Sequence, residues 1–334
     1  MELSLIPIHS LGTWSFDEKF DLNKLPLEIL PGLTIEDVSP LLGDDPFVVW
    51  KRMLGESLTE KLENLRYALV HRFDPEKLSP HDLYEPLNLV ASCLRIVRPM
   101  RQGTLAVVHG IIRADNGKLD IRSFSLSERQ TGVEVVEAHK LSTLRNQDAE
   151  TLRQLASEFI RAMNGDFWKF RMAVEFHDRG YFESYNWKPR FILWCSAIES
   201  LFTSHNADHK GSRVAKARIR WFLGDNAPIY PLGGWPNTIP ASELKVIDIV
   251  DDLYEMRNHL AHGDKLPDKF LTTCPREGIN GGVKLAEVLS EAASFVVRES
   301  LMKILREGLL DHFADAAPAE AYFRAQGLTN SQLP

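Results

Sequence analysis

The stretch KVIDIVDDLYEMRNHLAHGDK, Lys245 to Lys265, decides how the second half of the chain folds. Val246, Ile249, Val250, Leu253, Met256 and Leu260 recur every three or four residues, which predicts a helix with one apolar stripe. Gly263 is its predicted stop, because glycine tolerates the left-handed backbone that closes a helix. Arg257, Asn258, His259 and His262 crowd the last turns. Arg257 follows Leu253 by four residues and so falls on or beside the apolar stripe, where an unpaired cation is costly. His262 sits near the negative end of the helix dipole. An arginine and a histidine held there can grip a phosphate and move a proton, since a guanidinium matches phosphate oxygens in two places and imidazole titrates near neutrality. The plainer reading is a structural cation and a C-capping histidine.

Working outward, Arg190 to Thr203 is hydrophobic almost all round, which predicts a helix at the centre of a bundle, opened by Pro189. Cys195 within it is expected as a packed thiol. Ser212 to Leu223 is the next helix, with Ser212 as its N-cap. Arg213, Lys216 and Arg220 share one side of it, while Val214, Ala217, Trp221 and Phe222 lie on or near the other. From His205 to Trp221 there are five basic residues (Lys210, Arg213, Lys216, Arg218, Arg220) against Asp208 alone. That basic side is either a solvated face or a contact for an RNA backbone. Arg218 falls on the apolar side of its helix and Glu199 lies in the central apolar helix. Two buried charges of opposite sign attract, which predicts a Glu199–Arg218 pair; otherwise Glu199 positions Arg257 or His262. His259 is expected on the solvent face. His205, Asp208 and His209 lie in a loop without a fourth ligand, so no metal site is expected.

The arginine, polar residue and histidine of R-N-H-L-A-H (Arg257 to His262), with the upstream tract R-F-I-L-W-C-S-A-I-E-S-L-F (Arg190 to Phe202) and the basic helix after it, resemble the HEPN superfamily. These are the helical domains of many prokaryotic ribonuclease toxins and defence proteins, and the match resembles the Apea-like branch. The resemblance spans about residues 149 to 311. It implies a metal-independent endoribonuclease with no cofactor, in which Arg257 and His262 are catalytic and Asn258 orients the imidazole or the phosphate. It also implies a homodimer with a composite site and an acidic residue at the place of Glu199. On an ideal helix Arg257 and His262 point about 140° apart. One copy therefore converges them poorly on a single phosphate, and a two-fold partner repairs this. The competing expectation is a catalytically inert HEPN module that binds RNA or assembles with a defence or regulatory partner.

The remaining helices fit a mainly α protein. Glu150 to Phe176 reads as one long helix or two around Asn164-Gly165, and Val283 to Leu310 as the last long helix. Residues 149–312 are expected as the bundle and 313–334 as a C-terminal tail. Residues 1–140 read as a smaller α+β domain for sensing, partner binding or regulation. Leu3 to Ile8 is its predicted strand, Leu22 to Val38 irregular or short elements, Thr59 to Arg72 a helix, and Pro86 to Arg98 a second helix. Leu105 to Ala114 and Lys118 to Leu126 flank the turn Asp115-Asn116-Gly117. A polar connector runs from Gly132 to Asp148. No Gly-rich phosphate loop, acidic cluster or nucleophile elbow stands out there.

At 334 residues, 44% hydrophobic and 25% charged, the chain can bury a sizeable core. A net charge of −7 excludes a generally basic nucleic-acid coat, so any RNA contact must be local. Cys93, Cys195 and Cys274 form neither a disulfide framework nor a zinc motif, which fits a reducing cytoplasm. The N-terminus lacks a basic leader region, and no apolar run approaches the length of a membrane span.

Overall fold

The computed structural model describes residues 2–7, 21–43, 66–74, 85–98, 105–127, 145–182, 187–203, 211–229, 244–274 and 283–329. It is mainly helical with a small antiparallel sheet. The described residues up to 127, together with 145–160, form one compact unit, and those from 161 onward form the other.

In the first unit β1 (Glu2–Pro7), β2 (Leu27–Leu30), β3 (Leu33–Asp37), β4 (Tyr67–Phe73), β5 (Leu105–Ile112) and β6 (Leu119–Ser127) form a sheet of order β2-β3-β4-β1-β5-β6. Every neighbouring pair is antiparallel. Register places Leu5 of β1 opposite Val70 of β4 and Val108 of β5. These three close a core with Leu3, Val38, Leu42 and Leu119. The predicted turn after β5 is present: Gly117 takes a φ of 69° and the Lys118 amide donates to Asn116 Oδ1 at 2.9 Å. Helix α1 (Glu85–Val97) packs on β1 and β4, and α2 (Asn146–Asn164) begins in this unit.

One expectation fails in this half and another is made specific. Residues 67–72, read as the end of a helix, lie in strand β4; residues 59–65 lie outside the described residues. Tyr67, Ala68, Leu69 and Val70 are all buried because β4 is an inner strand covered on both faces. Its apolar residues therefore run without alternating, a pattern that short buried strands and buried helices share. Leu22 to Val38, read as irregular or short elements, includes the hairpin of β2 and β3, turned at Gly32 with a φ of 78°.

The second unit holds α3 (Trp168–Phe182), α4 (Trp187–Phe202), α5 (Gly211–Leu223), α6 (Val246–His262), the short α7 (Asp268–Leu271), α8 (Leu285–Arg306) and α9 (Ala316–Ala325), with β7 (Thr273–Cys274) paired to β8 (Val283–Lys284). The break near Gly165 makes α2 and α3 two helices rather than one. Helix α4 packs against α3, α5, α6 and α8, the central position its all-round hydrophobicity predicts. Gly180 lets α3 approach it: a Cβ there would lie 2.3 Å from Trp194 Nε1, which donates to the His177 carbonyl at 3.2 Å. Ser212 is not the N-cap of α5, which begins one residue earlier. Trp221, assigned to its apolar side, is 41% exposed and packs edge-on against Tyr322. Helix α8 stops at Arg306, short of Leu310.

Residues 313–329 are no tail. Helix α9 buries Phe323 against Phe202 and Phe313. Arg218 pins it: the guanidinium donates to Glu320 at 2.7 Å, to the Leu328 carbonyl at 3.1 Å and to the Phe202 carbonyl at 3.2 Å, and lies 4.7 Å from the Phe323 ring centroid. The expected Glu199–Arg218 pair therefore does not form, because Arg218 spends its donors on the C-terminal helix. Among the described residues no helix is long and apolar enough to cross a membrane. Removing a buried ion-pair partner strands the other charge, so Arg218→Ala should lower the unfolding free energy by about 3–5 kcal/mol in urea titrations. An unchanged midpoint would contradict this role.

Candidate functional site

Helices α4 and α6 lie side by side, and the polar residues of each meet near the end of α6. Val246, Ile249, Val250, Leu253 and Met256 bury the apolar stripe of α6. The Lys245 amide donates to Asp248 at the helix start, and Gly263 ends it in the left-handed conformation at φ 75°. That anchoring carries Arg257 to the flank of α4. There its Nη2 donates to Glu199 Oε2 at 2.9 Å, and its Nη1 donates to Asn258 Oδ1 at 3.3 Å. The side chains of Arg257 and Glu199 remain 32% and 27% exposed. The pair is thus half-desolvated: held in place, yet open to solvent on one side.

Beneath it the environment is dry. Cys195 lies one turn before Glu199 on α4, and burial raises its thiol pKa well above the ordinary value; Glu199 adds to the rise and Arg257 opposes it. Tyr254 lies three residues before Arg257 on α6, and burial raises its phenol likewise, reinforced by Glu199 and Cys195. The Tyr254 hydroxyl is buried and has no hydrogen-bond partner among the described residues. An unmade bond at a buried hydroxyl costs about 1–3 kcal/mol. Tyr254 has no counterpart in the sequence reading. The available signal was a polar-tipped aromatic one helical turn from a half-buried arginine.

Of the two histidines, only His259 departs from its expected place. His262 is exposed in the last turn. His259, expected on the solvent face, is half-buried, and its Nδ1 is enclosed with no hydrogen-bond partner among the described residues. The helix closes at this residue: the Asp264 amide donates to the His259 carbonyl at 2.8 Å. The structure brings Arg257, Asn258 and Glu199 together, and places His262 one helical turn after Asn258, exposed in the last turn.

The basic side of α5 is largely neutralised. Lys216 pairs with Asp251 of α6 at 2.6 Å and Arg220 with Asp225 at 2.9 Å, while Arg213 is exposed. His205, Asp208 and His209 lie outside the described residues. Among the described residues no cluster of His, Cys, Asp or Glu is arranged to hold a metal ion. No family model, curated protein or solved structure matches the chain.

The end of α4 that carries Glu199 is closed by Lys169, whose ammonium donates to the Ser200 carbonyl at 2.6 Å and the Thr203 carbonyl at 3.3 Å. Burial, reinforced by the nearby Arg218, lowers its pKa from 10.5 to about 8. The folded chain sheds this proton before the unfolded chain does. The destabilisation is therefore full below pH 8 and is relieved as pH rises toward 10.5. Wild-type protein should gain stability relative to Lys169→Met across that window in denaturant titrations. A constant difference would show that the ammonium is not desolvated.

Proposed function

We propose that the chain is a HEPN-type, metal-independent endoribonuclease that acts as a toxin or anti-phage effector on RNA. The observation that carries this reading is the Arg257–Glu199 pair with Asn258. It presents a guanidinium on the surface, oriented by a carboxylate on one side and an amide on the other. In this reading the ribose 2′-oxygen attacks the adjacent phosphorus. The 2′-O–P bond forms, the P–O5′ bond breaks, and a 2′,3′-cyclic phosphate and a 5′-hydroxyl result. One group takes the 2′-proton and another delivers a proton to O5′, tasks that suit His262. Arg257 neutralises the crowded phosphorane. The divergence of Arg257 and His262 on one helix is met by a homodimer, in which each copy supplies a histidine to the cleft of the other. The first unit would then serve as sensor or restraint, in the cytoplasm, with or without a regulatory partner.

A second reading has its own support: a catalytically inert HEPN module that binds RNA or assembles with a defence or regulatory partner. Of the four cations on α5, Lys216, Arg218 and Arg220 are already paired with carboxylates, which leaves less positive charge to hold an RNA backbone. The two readings separate in one experiment. In EDTA the wild-type protein should cut RNA, and Arg257→Ala and His262→Ala should each slow cleavage by about 10²–10⁴. Undiminished cleavage by both variants would falsify the assignment, and RNA binding without cleavage would favour the inert module.

A further inference from the structure

The sheet of the first unit ends in an open strand. Among the described residues β2 lies at one edge, pairs with β3 alone and makes no other backbone hydrogen bond. Backbone groups of a strand point alternately to its two neighbours, so half of those in β2 face away from the sheet. Helix α2 stands beside that edge. The Asp21 amide, ahead of β2, donates to Asn146 Oδ1 at 3.0 Å and ties the strand's lead-in to the first residue of the helix. The same two elements line an open cleft of about 320 Å³, with residues 28–31 on one side and Glu150, Arg153 and Gln154 on the other. Side chains of a strand alternate between faces, so four consecutive residues line one cleft only along the strand's edge. The cleft's charge is uneven. Arg153, the one cation among its lining residues, donates to Glu150 at 3.2 Å, and Gln154 donates to the same carboxylate at 3.3 Å. Glu28 is exposed on the strand side, with no partner among the described residues.

We propose that this cleft takes an extended peptide from a partner protein, added as a strand to the outer edge of β2 and carrying a lysine or arginine toward Glu28. The unpaired edge groups supply main-chain hydrogen bonds, and Glu28 selects the side chain. Pro26 and Pro31 flank β2 and lack N–H donors, which confines the added strand to the four residues between them. At about 3.3 Å per residue that is roughly 13 Å of pairing. An edge kept this short also resists unspecific pairing with other strands. A helix would not satisfy these groups, because its own backbone bonds are made internally. RNA would bring phosphates against two carboxylates and a cation already paired. The proposal is independent of the nuclease reading, since it uses the first unit alone.

The test selects a phage-displayed library of random heptapeptides on the full-length protein and measures the selected peptides by fluorescence anisotropy. Their sequences should alternate β-branched or aromatic residues with a lysine or arginine. Glu28→Lys, a change at an exposed side chain whose fold is checked by circular dichroism, should weaken their binding by about tenfold or more. The tightest peptide is then N-methylated one residue at a time. Binding should be lost at every second position, the mark of a strand paired along one edge. Loss at no position, or at successive positions alike, would overturn strand addition. Failure to select any peptide, or selected peptides indifferent to Glu28→Lys, would overturn the site itself. A wild-type dimer that Glu28→Lys splits in gel filtration would give the edge to a second copy and overturn the peptide reading. None of these outcomes touches RNA cleavage, so the nuclease reading stands or falls separately.

Discussion

The ion pair between Arg257 and Glu199 is the constraint on which the second unit's chemistry depends. Helix α4 is apolar on nearly every side because it packs against four other helices. A carboxylate in such a helix must find a cation or neutralise. It finds one in the neighbouring helix, at the edge of the bundle, where a quarter to a third of each side chain still meets solvent. This placement avoids the heavy desolvation of a core ion pair while fixing the guanidinium's direction. A fully exposed pair would hold its geometry weakly, and a fully buried one would be out of reach of a ligand.

Two buried cations of the same unit, Arg218 and Lys169, make a useful contrast. Arg218 is almost entirely enclosed, with partners on Glu320, Phe202 and Leu328, and Lys169 closes the carbonyl end of α4. Both donate to groups that hold elements together, and both are buried away from any ligand in solvent. Arg257 alone among these three combines an oriented guanidinium with a solvent-facing side. The pairing of Lys216 with Asp251 ties α5 to α6, which braces the helix that carries Arg257.

The helical unit was legible in the sequence because its pattern is amphipathic. The stripe of α6, its glycine stop and the central place of α4 follow from spacing and hydrophobicity. The sheet was legible only at β1 and at the β5–β6 hairpin, where Asn116-Gly117 marks the turn. Strand β4 was misread because an inner strand covered on both faces loses its alternation, and the hairpin of β2 and β3 was missed because its prolines suggested irregularity. Partners across the fold were beyond the sequence. Spacing showed that Glu199, Arg218 and Arg257 all needed counter-charges, but not that Arg218 would turn to the C-terminal helix and leave Glu199 to Arg257. The burial of the Tyr254 hydroxyl and His259 Nδ1 is set by tertiary packing, and no local pattern announces it.

The chemistry assigned to Arg257 and its histidine partners is most directly read from the ends of the RNA fragments. Wild-type protein incubated with RNA in a chelator should leave 2′,3′-cyclic phosphates and 5′-hydroxyls, the products of internal attack by the ribose oxygen. Fragments ending in 3′-hydroxyls and 5′-phosphates, or RNA left intact by a well-folded protein, would contradict the account.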